Sequence, residues 1–129
     1  MNSPIDSRSR ANQLGEAARG LKAENVVALD VAALTSFADV IVIATGNSDR
    51  HVRAVADTVL ETAKAIGAPK LGVEGYDEAR WILIDLGDVI VHVFQRDARE
   101  FYDLDRLWGD APGVEPPAGA DTQRTEAGA

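Results

Sequence analysis

The chain has 129 residues, of which 46% are apolar, and its 13 Lys and Arg residues stand against 21 Asp and Glu residues, for a net charge of −8. This length predicts one compact domain, and the absence of cysteine excludes disulfide scaffolds, zinc ribbons, iron–sulfur clusters and thiol nucleophiles. Because contacts to phosphate backbones need Lys and Arg, the acidic excess argues against direct binding of DNA or other nucleic acid and favours a basic protein partner.

No segment has the pattern of a signal peptide or a membrane anchor. The first 20 residues contain arginines but no apolar run. The longest apolar run, residues 40–44, is far shorter than the roughly 20 residues that a bilayer span requires. We therefore expect a soluble cytoplasmic protein without a membrane partner.

The first predicted element is an amphipathic helix over residues 10–24, with Ser9 as N-cap and a flexible N-terminus at residues 1–9. Its apolar residues recur at helical spacing: Leu14, Ala17, Ala18 and Leu21. Two short β-branched segments follow, residues 26–31 and 40–44, and predict two strands.

A second helix should begin at Ser48 as N-cap and end before Gly67 and Pro69. The turn before it, residues 44–48, joins a strand to a helix, a geometry that can bind an anion through backbone amides. No lysine follows as in a P-loop, so we interpret the segment as a tight turn. The helix's apolar positions are Val52, Val55, Ala56, Val59, Leu60, Ala63 and Ile66. Residues 70–73 predict a short third strand.

The most informative segment is residues 80–94, in which two β-rich runs flank Gly87-Asp88, a pair typical of a two-residue hairpin turn. The strands then pair from Asp85 with Ile90 to Trp81 with Phe94, and alternation sorts their side chains onto two faces. The aliphatic face consists of Ile82, Ile84, Leu86, Val89, Val91 and Val93. The mixed face consists of Trp81, Leu83, Asp85, Ile90, His92 and Phe94.

The aliphatic face should pack beneath the helices. For the mixed face we favour contact with a partner over the alternative, coverage by another internal layer. Aromatic residues anchor binding surfaces, and a carboxylate and an imidazole make poor core because buried polar groups need partners. The adjoining segment 74–88 has a net charge of −4, with Glu74, Asp77, Glu78, Asp85 and Asp88 against Arg80. This acidic cluster would steer a basic protein toward the mixed face.

The residues offer little for catalysis or metal binding. The two histidines, His51 and His92, lack ligands at matched spacing, so we expect no metal site. Asp85 and Asp88 lie on either side of the hairpin turn and should not share a face, which disfavours the paired carboxylates of nucleotidyl transfer. A nucleotide-binding or nucleotidyltransferase-like enzyme that uses residues 45–48 and Asp85 remains the alternative.

Residues 97–100 have the spacing of a capping box, with Asp97 as N-cap, and predict a last helix. Phe101, Leu104 and Trp108 should form one stripe on it. Residues 109–129 are rich in Pro, Gly and Ala, have a net charge of −3 and predict a disordered acidic tail. The folded domain is thus expected at residues 10–108. Its elements predict an α/β fold of α+β character: a small mixed sheet of about five strands with helices on one face.

Several motifs, taken in chain order, resemble the ribosomal silencing factor (Iojap-like) family over about residues 10–110. They are Phe37-Ala38-Asp39, residues 43–48 (IATGNS), Arg50-His51-Val52, Glu74-Gly75, Trp81, Ile84-Asp85, Gly87-Asp88-Val89, Val91-His92-Val93-Phe94, residues 99–104 and Leu107-Trp108. The resemblance implies a nucleotidyltransferase-like topology without catalysis or a cofactor. It also implies binding to ribosomal protein L-fourteen on the large ribosomal subunit, which would block association with the small subunit and repress translation when nutrients are scarce. Several members of the family are also similar in forming homodimers, which implies a homodimer for the free chain.

The predicted interface combines the assignment of the hairpin faces with the family resemblance. Its centre is Trp81, Asp85, His92 and Phe94, with Glu74 and Asp88 as flanking charges and Tyr102, Asp103 and Leu107 at the rim. Which of them contact the ribosome and which contact a second copy of the chain is open at this point. A homodimerising adaptor that uses the mixed face for self-association is a further alternative.

Overall fold

The computed structural model describes residues 4–114, with side chains for residues 7–114. The elements are α1 (Pro4–Gly20), β1 (Glu24–Asp30), β2 (Val40–Gly46), α2 (Asp49–Ala65), β3 (Gly72–Glu74), β4 (Trp81–Asp85), β5 (Val89–Gln95), α3 (Arg96–Tyr102) and α4 (Leu104–Leu107). They form one five-stranded sheet in the order β1-β2-β5-β4-β3. β2 and β5 are parallel and the other neighbours are antiparallel. The predicted small mixed sheet is confirmed.

The first helix begins earlier than predicted. α1 starts at Pro4, and Ser9 lies inside it, so the predicted start at residue 10 with Ser9 as N-cap was wrong. Proline suits the first turn of a helix, where its missing N–H would be unpaired anyway. The extra turns bury the polar residue Ser7, and apolar periodicity does not detect such a contact.

The aliphatic face of the hairpin packs beneath the two long helices, as predicted. Its residues are at most 1% exposed and share one core with Leu14 of α1 and with Val55 and Val59 of α2. β2 is buried along its whole length because it is a central strand with side chains on both faces covered. Burying each such aliphatic side chain contributes roughly 1.5–3 kcal/mol, so this layer dominates the stability of the fold.

The hairpin has the predicted register. Trp81 pairs with Phe94 and Asp85 with Ile90. Gly87 has φ +89° and is the turn's residue with positive φ, as a type II′ turn requires. The predicted third strand is also present as β3, which pairs antiparallel with β4 at the edge of the sheet.

The two short helices lie on the opposite side of the sheet from α1 and α2. Ala98 of α3 packs with Ile41, Ile43 and Phe94, and Leu104 and Trp108 join the same cluster. The prediction of helices on one face therefore holds for α1 and α2 but not for α3 and α4. These short helices cover part of the mixed face and leave the rest open.

The predicted capping box and the single last helix were wrong. α3 begins at Arg96 with Gln95 as N-cap, and the Asp97 carboxylate instead accepts from Ala98 N (2.9 Å) and from Arg80 (3.0 Å). Asp103 adopts a left-handed conformation (φ 52°, ψ 51°) that ends α3 and precedes α4. Because of this break, Phe101 is 78% exposed and does not share a stripe with the packed Trp108.

The ordered chain continues beyond residue 108 along the outer edge of β1. Asp30 N donates to Pro112 O and Val114 N donates to Ala28 O, both at 2.8 Å. The rest of the predicted tail, residues 115–129, lies outside the described residues. Within the described part of the chain, no helix is both long enough and apolar enough to cross a membrane.

Candidate protein-binding site

The mixed face of the hairpin is half covered. Phe94 is fully buried and His92 is 7% exposed, whereas Trp81, Leu83 and Ile90 are partly exposed. The covered end lies beneath α3, and the open end extends toward the hairpin turn. Phe94 was predicted at the centre of the interface, but it is fully buried and can only support the exposed residues of the face from beneath.

Four rings form what we call the aromatic platform: Trp81, His92, Phe94 and Tyr102. Trp81 stacks on Phe94 with ring centroids 5.0 Å apart, and its ring centroid is 4.5 Å from that of Tyr102. The hairpin register supplies three of the rings, and the C-terminal end of α3 supplies Tyr102. Each aromatic pair adds roughly 0.5–1.5 kcal/mol beyond its buried area, so the platform is held rigidly before any partner binds.

His92 is the polar member of the platform. Its Nδ1 accepts a hydrogen bond from Trp81 Nε1 at 2.9 Å. Burial lowers the pKa of His92 to about 4, so the imidazole is neutral at physiological pH. The predicted juxtaposition of Trp81 and His92 therefore forms a direct bond.

Two predicted acidic residues lie at the edge of the mixed face. Asp85 Oδ1 accepts from Gly87 N at 3.0 Å, so this carboxylate also shapes the hairpin turn. Glu74 is exposed on β3, where it is the cross-strand partner of Leu83 and so shares its face. Together they give the open end of the face a negative border.

Asp88 is not brought to this face. Its carboxylate accepts from Ser7 Oγ at 2.7 Å and pairs with Arg10, both in α1, and its side chain is 13% exposed. Burial raises the pKa of Asp88, but the hydrogen bonds from Arg10 and Ser7 outweigh burial and leave the pKa below its usual value. Ser7 Oγ also lies 2.9 Å from Asp39 Oδ2. Sequence reasoning missed these α1 partners because no local pattern connects residues so far apart in the chain.

The predicted rim residues lie around the break between α3 and α4. Tyr102 belongs to the platform, Leu107 is 67% exposed on α4, and Asp103 is partly buried at the break itself. Sequence reasoning did not anticipate that Leu34 and Phe37, in the loop before β2, would also be exposed apolar residues. Phe37 contacts Trp108 edge-on with centroids 6.0 Å apart, so apolar surface continues past the platform.

Arg99 holds this rim in place, and sequence reasoning missed it. Its guanidinium makes two hydrogen bonds to the Asp105 carboxylate (2.9 and 3.1 Å) and donates to Thr45 Oγ1 (2.8 Å) and to Asn25 O. The hydrogen bond from Arg99 lowers the pKa of Asp105 despite its partial burial. The Arg99 side chain thereby joins α3 and α4 to the ends of β1 and β2.

The turn at residues 44–48 is a tight strand-to-helix turn, and its backbone N–H donors largely have acceptors within the chain already. Ser48 caps α2 by accepting from His51 N at 3.1 Å, as predicted, and Asn47 N donates to His51 Nδ1 at 2.9 Å. His51 Nε2 lies 2.7 Å from Leu21 O, which connects this turn to the end of α1. Across residues 4–114, no three His, Asp or Glu side chains lie close enough to hold a metal ion.

The fold and the site define a small α+β domain that presents a half-covered aromatic sheet face with an acidic edge. A family model described as "Ribosomal silencing factor during starvation" matches residues 4–129. The chain is 50% identical over 94 residues to the ribosomal silencing factor of Halalkalibacterium halodurans, covering 73% of this chain and 80% of that protein. It is 48% identical over 91 residues to that of Bacillus subtilis, covering 70% and 77% respectively.

A solved structure agrees with these sequence matches. An X-ray structure of a Chromobacterium violaceum protein superposes with a TM-score of 0.78 at 36% identity, covering 80% of this chain and 86% of that one. The chain belongs to the ribosomal silencing factor family.

Proposed function

We propose that this chain binds the large ribosomal subunit through ribosomal protein L-fourteen and thereby blocks association with the small subunit, which represses translation under nutrient limitation. The observation that carries the proposal is the half-open aromatic platform with its acidic edge, in a member of the ribosomal silencing factor family. Ribosomal proteins are basic, so an acidic chain of net charge −8 is their chemical complement.

In this proposal the chain acts by occupying a surface. It needs no catalytic step and no cofactor, and it works in the cytoplasm, where ribosomal subunits join. A few well-packed side chains dominate most protein interfaces, and aromatic residues are prominent among them. Trp81 is the central candidate because its ring is partly exposed while Phe94 and Tyr102 fix its position.

We further propose that the free chain forms homodimers. The exposed apolar residues beyond the platform support this, because contiguous apolar surface is rare on monomers. They include Leu34, Phe37, Phe101 and Leu107. One apolar surface would then serve self-association in the free chain and ribosome docking in the bound one.

The first test removes apolar surface from the mixed face. Trp81→Ala should weaken binding to isolated large subunits at least tenfold, because truncating an aromatic anchor costs about 2 kcal/mol or more. Leu83→Glu places a charge on the open part of the face without opening a cavity and should have a similar effect. Co-sedimentation with purified large subunits measures both, and titration of isolated protein L-fourteen tests the partner directly.

A matched control lies on the opposite side of the molecule. Tyr76 contacts Asp57 of α2 through its hydroxyl at 2.9 Å, so Tyr76→Phe changes a distant aromatic residue and should leave binding unchanged. Binding of both Trp81→Ala and Leu83→Glu at the level of the parent chain would remove the mixed face from the proposal. Light scattering of the same variants shows whether the face also mediates self-association.

A further inference from the structure

His92 lies at the centre of the mixed face, between Ile43 of β2 and Leu83 of β4 in the strand register. Its ring packs against those of Trp81 and Phe94, with centroids 5.8 and 6.1 Å away. A polar ring in such apolar surroundings has few possible hydrogen-bond partners. Each of its two nitrogens can therefore be assigned as a donor or an acceptor.

The Nδ1 atom of His92 is an acceptor. Trp81 Nε1 lies 2.9 Å away, and an indole nitrogen can only donate. The accepting nitrogen therefore has no proton of its own. Because burial keeps the ring neutral by lowering the pKa of His92 to about 4, its single proton is on Nε2.

The Nε2–H group has no acceptor among the residues that the structure describes. In that part of the chain, the buried side-chain nitrogen and oxygen atoms without a partner are Arg10 Nε and Asp88 Oδ1. His92 Nε2 is not one of them, so it reaches solvent through the small exposed part of the ring. The mixed face thus presents an N–H donor of fixed direction beside the partly exposed Leu83 and Ile90.

We propose that His92 Nε2–H is a specificity-determining donor, which selects a protein partner that places an oxygen acceptor such as a backbone carbonyl against it. Trp81 is the positioning residue that keeps the proton on Nε2. The inference rests on the proposed function and adds the chemistry by which the partner is recognised. A partner that covers the face without an acceptor leaves the N–H buried and unpaired, and such a partner is rejected.

A pair of variants with side chains of equal length isolates the donor. His92→Gln retains an N–H near the end of the side chain, whereas His92→Met has a similar shape and no donor. His92→Met should raise the dissociation constant for isolated large subunits about 10- to 100-fold, and His92→Gln by no more than about threefold. Equal affinities of the two variants, with the hairpin intact in amide spectra, would overturn the donor role.

The positioning role has a spectroscopic test. Long-range ¹H–¹⁵N correlation spectra of the full chain labelled with ¹⁵N-histidine identify the protonated nitrogen of each imidazole. Trp81→Phe keeps an aromatic ring but lacks the N–H, so His92 should change from Nε2–H alone to a mixture of both neutral forms. His51 is an internal reference, because its Nδ1 accepts from Asn47 N and lies outside the platform. An unchanged His92 spectrum in Trp81→Phe would overturn the role of Trp81.

These experiments separate two kinds of failure. If the parent chain does not bind isolated large subunits, the proposed function fails and the recognition role of His92 fails with it. If the parent binds while the Gln and Met variants bind equally well, only the donor role fails.

Discussion

Gly75 determines how the chain enters the mixed face. It has φ +82°, a conformation that favours glycine, and a Cβ atom at this position would lie 2.1 Å from the carbonyl oxygen of Trp81. Ala79 N donates back to Gly75 O at 2.9 Å and closes the turn. The loop therefore folds directly against the first peptide of β4 and positions the Trp81 ring over Phe94.

Gly75→Ala should destabilise the protein by roughly 2–4 kcal/mol, because the new methyl group meets backbone atoms that cannot move away cheaply. Urea denaturation of the variant and the parent measures the change. Gly72→Ala is the control, since a Cβ atom there meets nothing within 4 Å and Gly72 lacks positive φ. Equal losses of stability in the two variants would show that the close approach at Gly75 does not cause the destabilisation.

At the residue scale, the sequence predicts contacts within the hairpin and misses contacts between distant segments. Trp81 and His92 meet because alternation and a two-residue turn place them on one face, and both signals are local. Arg99 meets Thr45 and Asp88 meets Ser7 only because separate elements come together in the fold. No spacing in the sequence indicates such pairs.

At the element scale, an ion pair holds α1 against the hairpin turn. Arg10 pairs with Asp88 and both side chains are mostly buried, while Ser7 donates to the same carboxylate. Asp39 N also donates to Asp88 O at 2.8 Å, so the start of β2 joins the contact. Removing one partner of a largely buried pair leaves the other charge uncompensated, which is strongly destabilising.

Asp88→Asn should therefore lower the free energy of unfolding by roughly 2–4 kcal/mol at pH 7. The pKa of Asp88 is lowered in the folded protein, so its contribution is present above the unfolded pKa of about 3.9 and is lost as the pH falls through the folded value. The difference between parent and variant should accordingly shrink below about pH 4. Urea denaturation at pH 7 and pH 3 measures it.

The control for this prediction makes the same substitution in an exposed ion pair. Asp97 binds Arg80 on the surface, so Asp97→Asn should change stability little. A destabilisation by Asp88→Asn that is as large at pH 3 as at pH 7 would show that the charge of Asp88 is not responsible.

The elements themselves were predictable where their signals are local. Ser48, the apolar stripe of α2 and Gly67 identify one helix from its cap to its end. The parallel pairing of β2 with β5 was not predicted, because it joins strands separated by α2, β3 and β4. The division of the last helix was missed as well, since it depends on the left-handed conformation of Asp103, a residue type that also occurs within helices.

At the scale of the whole molecule, negative charge is unevenly placed. Of the net charge of −8, residues 109–129 contribute −3 and residues 74–88 contribute −4. Within the second segment, Glu74 and Asp85 border the mixed face, whereas Asp88 is neutralised by Arg10. The charge available to attract a basic partner is therefore smaller than the sequence suggests and is located at the β3 edge of the sheet.

This placement predicts how association with the large subunit depends on charge and salt. Glu74→Gln should slow association about two- to threefold at low ionic strength and flatten its salt dependence, because steering acts over roughly 10 Å at 0.1 M salt. Glu61→Gln removes the same charge from the exposed side of α2, across the sheet, and should have a much smaller effect. Stopped-flow association rates at several salt concentrations measure both. Equal effects would mean that only the total charge matters, whereas a selective effect of Glu74 would show that the β3 edge approaches the partner first.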